Sequence, residues 1–240
     1  MPSETKKTVL PATPFAMLAG LMASLQGALF DWDGVVIDSS AAHEHSWALL
    51  AEEEKKPLPE GHFVRGFGRK NTVIIPEILE WTTDPAEIAR LDARKEALYR
   101  EIIRERGIEP LPGVRELLQG LNDAGIPCSV GSSTSRENIE TIMDIAGLRE
   151  YFAAITSAED VSAGKPDPEV FVVAARKIHR QPEDCVVFED AIHGIEAGLA
   201  GGMKVVAVAT TNKLEDLGIA HLAVHRLTDV DVPRLRGLFS

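Results

Sequence analysis

The chain has 240 residues, enough for one large or two modest domains around a substantial core. Its 37 acidic residues outnumber 25 basic ones, and the formal net charge of −12 argues against broad binding to nucleic acid or to anionic membranes. Only two cysteines occur, Cys128 and Cys185, each opening an apolar run; they are too few for a structural zinc site and read as reduced core thiols of a cytoplasmic protein.

Residues 1–26 read as a poorly ordered N-terminal extension. Lys6 and Lys7 precede a mildly apolar stretch that superficially resembles a signal peptide, but Pro11 and Pro14 interrupt it. Thr, Gly, Ser and Gln dilute the stretch below a credible membrane span, and Met17 or Met22 offers an alternative start. The most informative run follows at once, Ala28-Leu29-Phe30-Asp31-Trp32-Asp33-Gly34. A short buried strand ends in two carboxylates one residue apart, which face the same way if the chain stays extended. Gly34 lets the backbone turn beside whatever they hold. Two like charges this close need a cation between them or a retained proton, although D-x-D-G also forms ordinary β-turns.

Residues 41–56, 71–81 and 84–106 have amphipathic helical spacing with no strand signal between them. Pro57 and Pro59 break the first, and Gly107, Pro110, Pro112 and Gly113 mark a return to another composition. From there helices are predicted over 113–124, 136–146, 167–179 and 191–200, alternating with strands over 126–131, 153–156, 185–189 and 204–208. Such alternation predicts βαβ units and a parallel sheet. One strand ends in Gly131-Ser132-Ser133-Thr134, Gly164-Lys165-Pro166 fixes a lysine in a loop, and Cys185-Val186-Val187-Phe188 runs into Glu189-Asp190. Ligands of open parallel sheets bind beyond the carboxyl ends of the strands, where all of these groups emerge.

Acid pair, hydroxyl, lysine and acid pair in this order resemble the four signature motifs of the haloacid dehalogenase-like superfamily, over about residues 28–211. More narrowly, the chain resembles the branch of β-phosphoglucomutase and small sugar-phosphate phosphatases. The resemblance implies an α/β fold: a Rossmann-like parallel sheet core, residues 27–40 and 112–240, with a helical cap domain, 41–111, inserted after the first strand. It implies that Asp31 is a nucleophile, that Asp33 is an acid and base, and that Ser132 and Lys165 bind the transferring phosphoryl group. Mg²⁺ would be held by Asp31, the Asp33 carbonyl, Asp190 and Glu189.

Substrate contacts are expected from the Trp32 and Asp33 main chain, from Ser133, Thr134 and Arg136, and from His43, Trp47, Arg65, Gly66, Arg69 and Lys95 of the cap. Arg65-Gly66-Phe67-Gly68-Arg69 would form a specificity loop whose glycines let substrate approach. Asp33 argues against a dehalogenase, which expels halide without a proton. A lysine is usual in the family where this chain has Arg65, which cannot form the Schiff base a phosphonatase needs. Hydrolysis of a phosphorylated sugar is the expected reaction. A mutase needs a second anion site, which Arg69, Lys95 and His43 could supply, and a non-catalytic sensor of phosphometabolites is the third alternative. The expected partner is a small phosphorylated metabolite rather than nucleic acid or membrane, and the expected state is a monomer or weak dimer.

Overall fold

The structure is a computed structural model that describes residues 23–66 and 69–240. The extension expected over 1–26 therefore lies almost wholly outside the described residues, as do Phe67 and Gly68 of the expected specificity loop.

Six parallel strands form one sheet in the order β3-β2-β1-β4-β5-β6. They are β1 (Gly27–Phe30), β2 (Cys128–Gly131), β3 (Phe152–Thr156), β4 (Cys185–Glu189), β5 (Lys204–Val208) and β6 (Leu222–Val224). β1, β2 and β4 are buried at every residue, as strands covered on both faces must be. Apolar residues of opposite parity along the strands feed two clusters. Ala28, Phe30, Val186 and Phe188 join one, while Leu29, Val187, Val205 and Ala207 join the other. Both thiols are free and buried, as the sequence implies.

The chain leaves β1 through a tight turn in which Gly34 has φ +81°. It then enters α1 (Ser40–Glu54), α2 (His62–Gly66), α3 (Asn71–Val73) and α4 (Pro85–Arg106). These helices carry an apolar cluster of their own, with Trp47, Leu50, Ile75, Ile78, Leu79, Trp81, Leu91 and Leu98. The helix expected over 71–81 is broken. After α3 the chain widens into a π-helical turn, Ile74–Ile78, in which the Leu79 N–H reaches the Ile74 carbonyl at 2.9 Å. Pro76 at its centre has no N–H to continue the α-helical ladder.

The remaining helices are α5 (Val114–Asp123), α6 (Arg136–Ala146), α7 (Glu169–Lys177), α8 (Ile192–Ala200) and α9 (Val232–Arg236). No helix among the described residues is long and apolar enough to cross a membrane.

Candidate active site

The sheet places its chemistry by register. β1 lies between β2 and β4, so the strand order reverses there and leaves a crevice beyond the carboxyl ends. Phe30 pairs with Phe188, their rings stacked at 4.4 Å, and the Asp31 N–H donates to the Phe188 carbonyl at 2.9 Å. Asp31 and Glu189 therefore leave adjacent strands side by side.

Lys165 reaches between them, its Nζ 2.6 Å from Asp31 Oδ1 and 2.6 Å from Glu189 Oε1. The ammonium also sits 4.8 Å from the centre of the Phe171 ring. Glu189 Oε2 accepts the N–H groups of Asp190 and Ala191 at 2.8 Å each. That seat exists only because residue 194 is glycine, since a Cβ there would lie 1.7 Å from Glu189 Oε1. Asp190 accepts the Thr211 hydroxyl at 2.5 Å, and the Asn212 amide donates to its carbonyl at 2.9 Å. A Cβ at Gly34 would lie 2.0 Å from Asp190 Oδ2, so Gly34 serves both the turn and this close approach.

Ligand atoms of Asp31, Glu189 and Asp190 lie within 4.8 Å of one another, and all three residues are buried. Burial, and then repulsion from Glu189, pushes the Asp190 carboxyl up to about 7. Burial also raises the Asp31 carboxyl well above its usual range, although Lys165 pulls the other way. One ammonium does not neutralise three carboxylates. An all-oxygen donor set with surplus negative charge fits a hard divalent cation such as Mg²⁺.

Asp33 does not join the triad with its side chain. Its carboxylate accepts the Ser39 hydroxyl on one oxygen and the Thr134 hydroxyl, at 2.5 Å, on the other. Ser132 is buried, and its Oγ accepts the Thr134 N–H at 3.1 Å, while Ser133 is exposed. Arg136 starts α6 but turns its guanidinium to Asp160 at 2.6 Å and to the Ile155 carbonyl at 3.3 Å.

The helical residues divide. His43 stacks on Tyr99 with 4.0 Å between ring centres, and its Nδ1 lies 2.6 Å from Lys95 Nζ. Lys95 is 2% exposed and bonds Glu96 at 2.8 Å. Desolvation and the Lys95 charge lower the His43 pKa to about 4. Burial opposes ionisation of Glu96, but Lys95 and His43 outweigh it and bring its carboxyl to about 2. Asp33 is near enough for its charge to act on His43, Lys95 and Tyr99.

The Trp32 side chain is fully buried, edge-on to Phe152, which leaves its main chain as the part able to meet a ligand, as expected. The helical segment departs from expectation at several residues. Trp47 is packed against Trp81 within the helical cluster, because it shares the inward face of α1 with Leu50 and Ala51. Arg65 and Gly66 belong to α2 rather than to a loop, and Gly66 faces Ile74, which a Cβ would approach to 3.2 Å. Arg69 is tied to Glu77 at 3.1 Å. Ser39, Thr211 and Asn212 were not anticipated; the hydroxyl-bearing Thr210-Thr211 run just after β5 is the same signal that marks Ser132.

Titratable groups converging at the switch point of an open parallel sheet define an α/β enzyme. The chain belongs to the haloacid dehalogenase-like hydrolase family, whose model matches residues 25–202. It is 38% identical over 215 residues to the chloroplastic 5-amino-6-(5-phospho-D-ribitylamino)uracil phosphatase of Arabidopsis thaliana, covering 88% of this chain and 57% of that protein. It is 33% identical over 209 residues to hexitol phosphatase A of Escherichia coli, covering 87% and 94% of the two chains. β-Phosphoglucomutase from Clostridium difficile superimposes with a TM-score of 0.77 at 25% identity, covering 90% of this chain and 97% of the other.

Proposed function

We propose that this chain is a Mg²⁺-dependent phosphatase of small phosphorylated sugars and sugar alcohols. The observation that carries the reading is the Lys165 bridge between Asp31 and Glu189, beside Asp190, at the sheet's switch point. In this reading Asp31, Glu189, Asp190 and the Asp33 carbonyl would hold the cation, which would screen the phosphoryl charge from the nucleophile. An Asp31 oxygen attacks phosphorus in line, and the bond from phosphorus to the sugar oxygen breaks. Asp33 gives its proton to that oxygen, then takes one from the water that cleaves the aspartyl-phosphate. Lys165 and Ser132 bind the phosphoryl oxygens where charge gathers.

In this reading residues 41–111 act as a cap over the crevice; the Asp33 charge acts on His43 and Lys95, which supports their lying on its inner side. A lid of this kind excludes bulk water and contacts the leaving group. The names of the two phosphatase relatives specify a hexitol and a phosphoribityl compound, which supports a polyol phosphate. The test is phosphate release from a panel of sugar and polyol phosphates with Mg²⁺, including β-glucose 1-phosphate with a trace of glucose 1,6-bisphosphate. Free phosphate from one or a few compounds is the expected result. Glucose 6-phosphate formed without matching free phosphate would make the protein a mutase.

A further inference from the structure

A cavity of about 520 Å³ runs between α4 and the loop that follows β2. Its wall on α4 includes Ile88, Ala89, Asp92, Ala93 and Glu96, and Ser135, Glu137 and Glu159 face them from the core. Ala89 and Ala93 are one turn apart and exposed, so small side chains keep the space open. Ser135 of its wall directly follows Thr134, whose hydroxyl bonds Asp33.

The wall is made for hydrogen-bond donors. The Ser135 Oγ is buried with no partner among the described residues. Among the described residues, Asp92 accepts one bond, from the Asn71 amide at 2.7 Å, and Glu159 accepts the Arg136 main-chain N–H. A carboxylate offers about four lone-pair sites, so both have capacity to spare. Arg100, the wall's only cation, is spent on Asn138 at 2.9 Å and on Glu137 at 3.1 Å. Glu96 is paired with Lys95 and Glu137 with Arg100, so Asp92 and Glu159 leave the wall net negative, which disfavours a second phosphate. The apolar patches of Ile88, Ala89 and Ala93 suit the C–H faces of a carbon chain.

We propose that this groove holds the organic part of the substrate, a hydroxyl- or amine-bearing chain with no second anion, and so selects monophosphates against bisphosphates. The proposal rests on the phosphatase reading and narrows it.

The test compares kcat/KM for sorbitol 6-phosphate, sorbitol 1,6-bisphosphate and p-nitrophenyl phosphate, in wild type, Ala93→Trp and Glu137→Lys. Wild type is expected to favour the monophosphate over the bisphosphate by about tenfold or more, chiefly through KM. Glu137→Lys reverses one wall charge at an exposed position and should shrink that ratio several-fold. Ala93→Trp fills the groove and should lower kcat/KM for sorbitol 6-phosphate relative to p-nitrophenyl phosphate by about tenfold. Thermal melting checks that both variants fold. Wild type preferring the bisphosphate, or both ratios unchanged in the folded variants, would overturn the subsite while leaving the phosphatase intact. No phosphate released from any of the three compounds would overturn the phosphatase reading and the subsite with it.

Discussion

Two charge clusters in this molecule are built on opposite principles. At the carboxyl ends of the central strands, Asp31, Glu189 and Asp190 share one ammonium, that of Lys165. The carboxyls of Asp31 and Asp190 are accordingly pushed up, Asp190 to about 7. In the helical segment, Lys95 stands between His43 and Glu96, and Asn138 Nδ2 caps the free Glu96 oxygen at 2.5 Å. There the carboxyl is pulled down, to about 2. The second cluster is complete in itself and holds helices together. The first is electrostatically unfinished, which is a liability for folding and the condition for binding a cation.

The largest expected effect breaks the first cluster. Asp31→Asn should reduce turnover by at least roughly 10⁴-fold, because no other group can carry the phosphoryl. The same substitution removes one of three crowded carboxylates, so the melting temperature should hold or rise. Glu96→Gln should do the reverse in stability, costing about 2–3 kcal/mol in denaturant titrations because it leaves the buried Lys95 ammonium without its counter-charge. A melting temperature that falls in Asp31→Asn and holds in Glu96→Gln would erase the distinction between the clusters.

The pH dependences sharpen the contrast. Between about 3.8 and 7 the native Asp190 holds a proton that the unfolded chain has lost, so the cation-free fold weakens as pH rises. Mg²⁺ competes with that proton, and the rise in melting temperature on adding Mg²⁺ should grow from pH 5 to pH 8. The second cluster behaves oppositely. The folded His43 pKa is lowered from 6.5 to about 4, so its share of stability is present above 6.5 and lost as pH falls through that window. Glu96 adds a further loss between 4.5 and about 2. His43→Gln, the smallest effect, should flatten the acid-side decline between pH 6.5 and 4.

Much of the first cluster was legible because strand ends announce themselves. Apolar runs stop at Phe30 and Phe188, and carboxylates follow without a spacer. Lys165 was legible through the Gly and Pro that hold its loop. The partners of these groups were not: Ser39, Thr211 and Asn212 are small polar residues in turns, common everywhere and distinguished only by what folds against them. On helices the failure has another cause. Trp47 and Gly66 were read by residue type, whereas tertiary packing turned both inward, against Trp81 and Ile74. Pro76 was visible, but the helical periodicity around it masked its effect on the ladder. β6, with three residues, is too short to show a period at all.

The central claim is that the strand-end carboxylates form a cation-dependent catalytic centre around Asp31. Phosphate release from sorbitol 6-phosphate by wild type and Asp31→Asn, each with Mg²⁺ and with EDTA, tests it most directly. The account predicts release by wild type with Mg²⁺ alone. Comparable release by Asp31→Asn, or by wild type in EDTA, would contradict it.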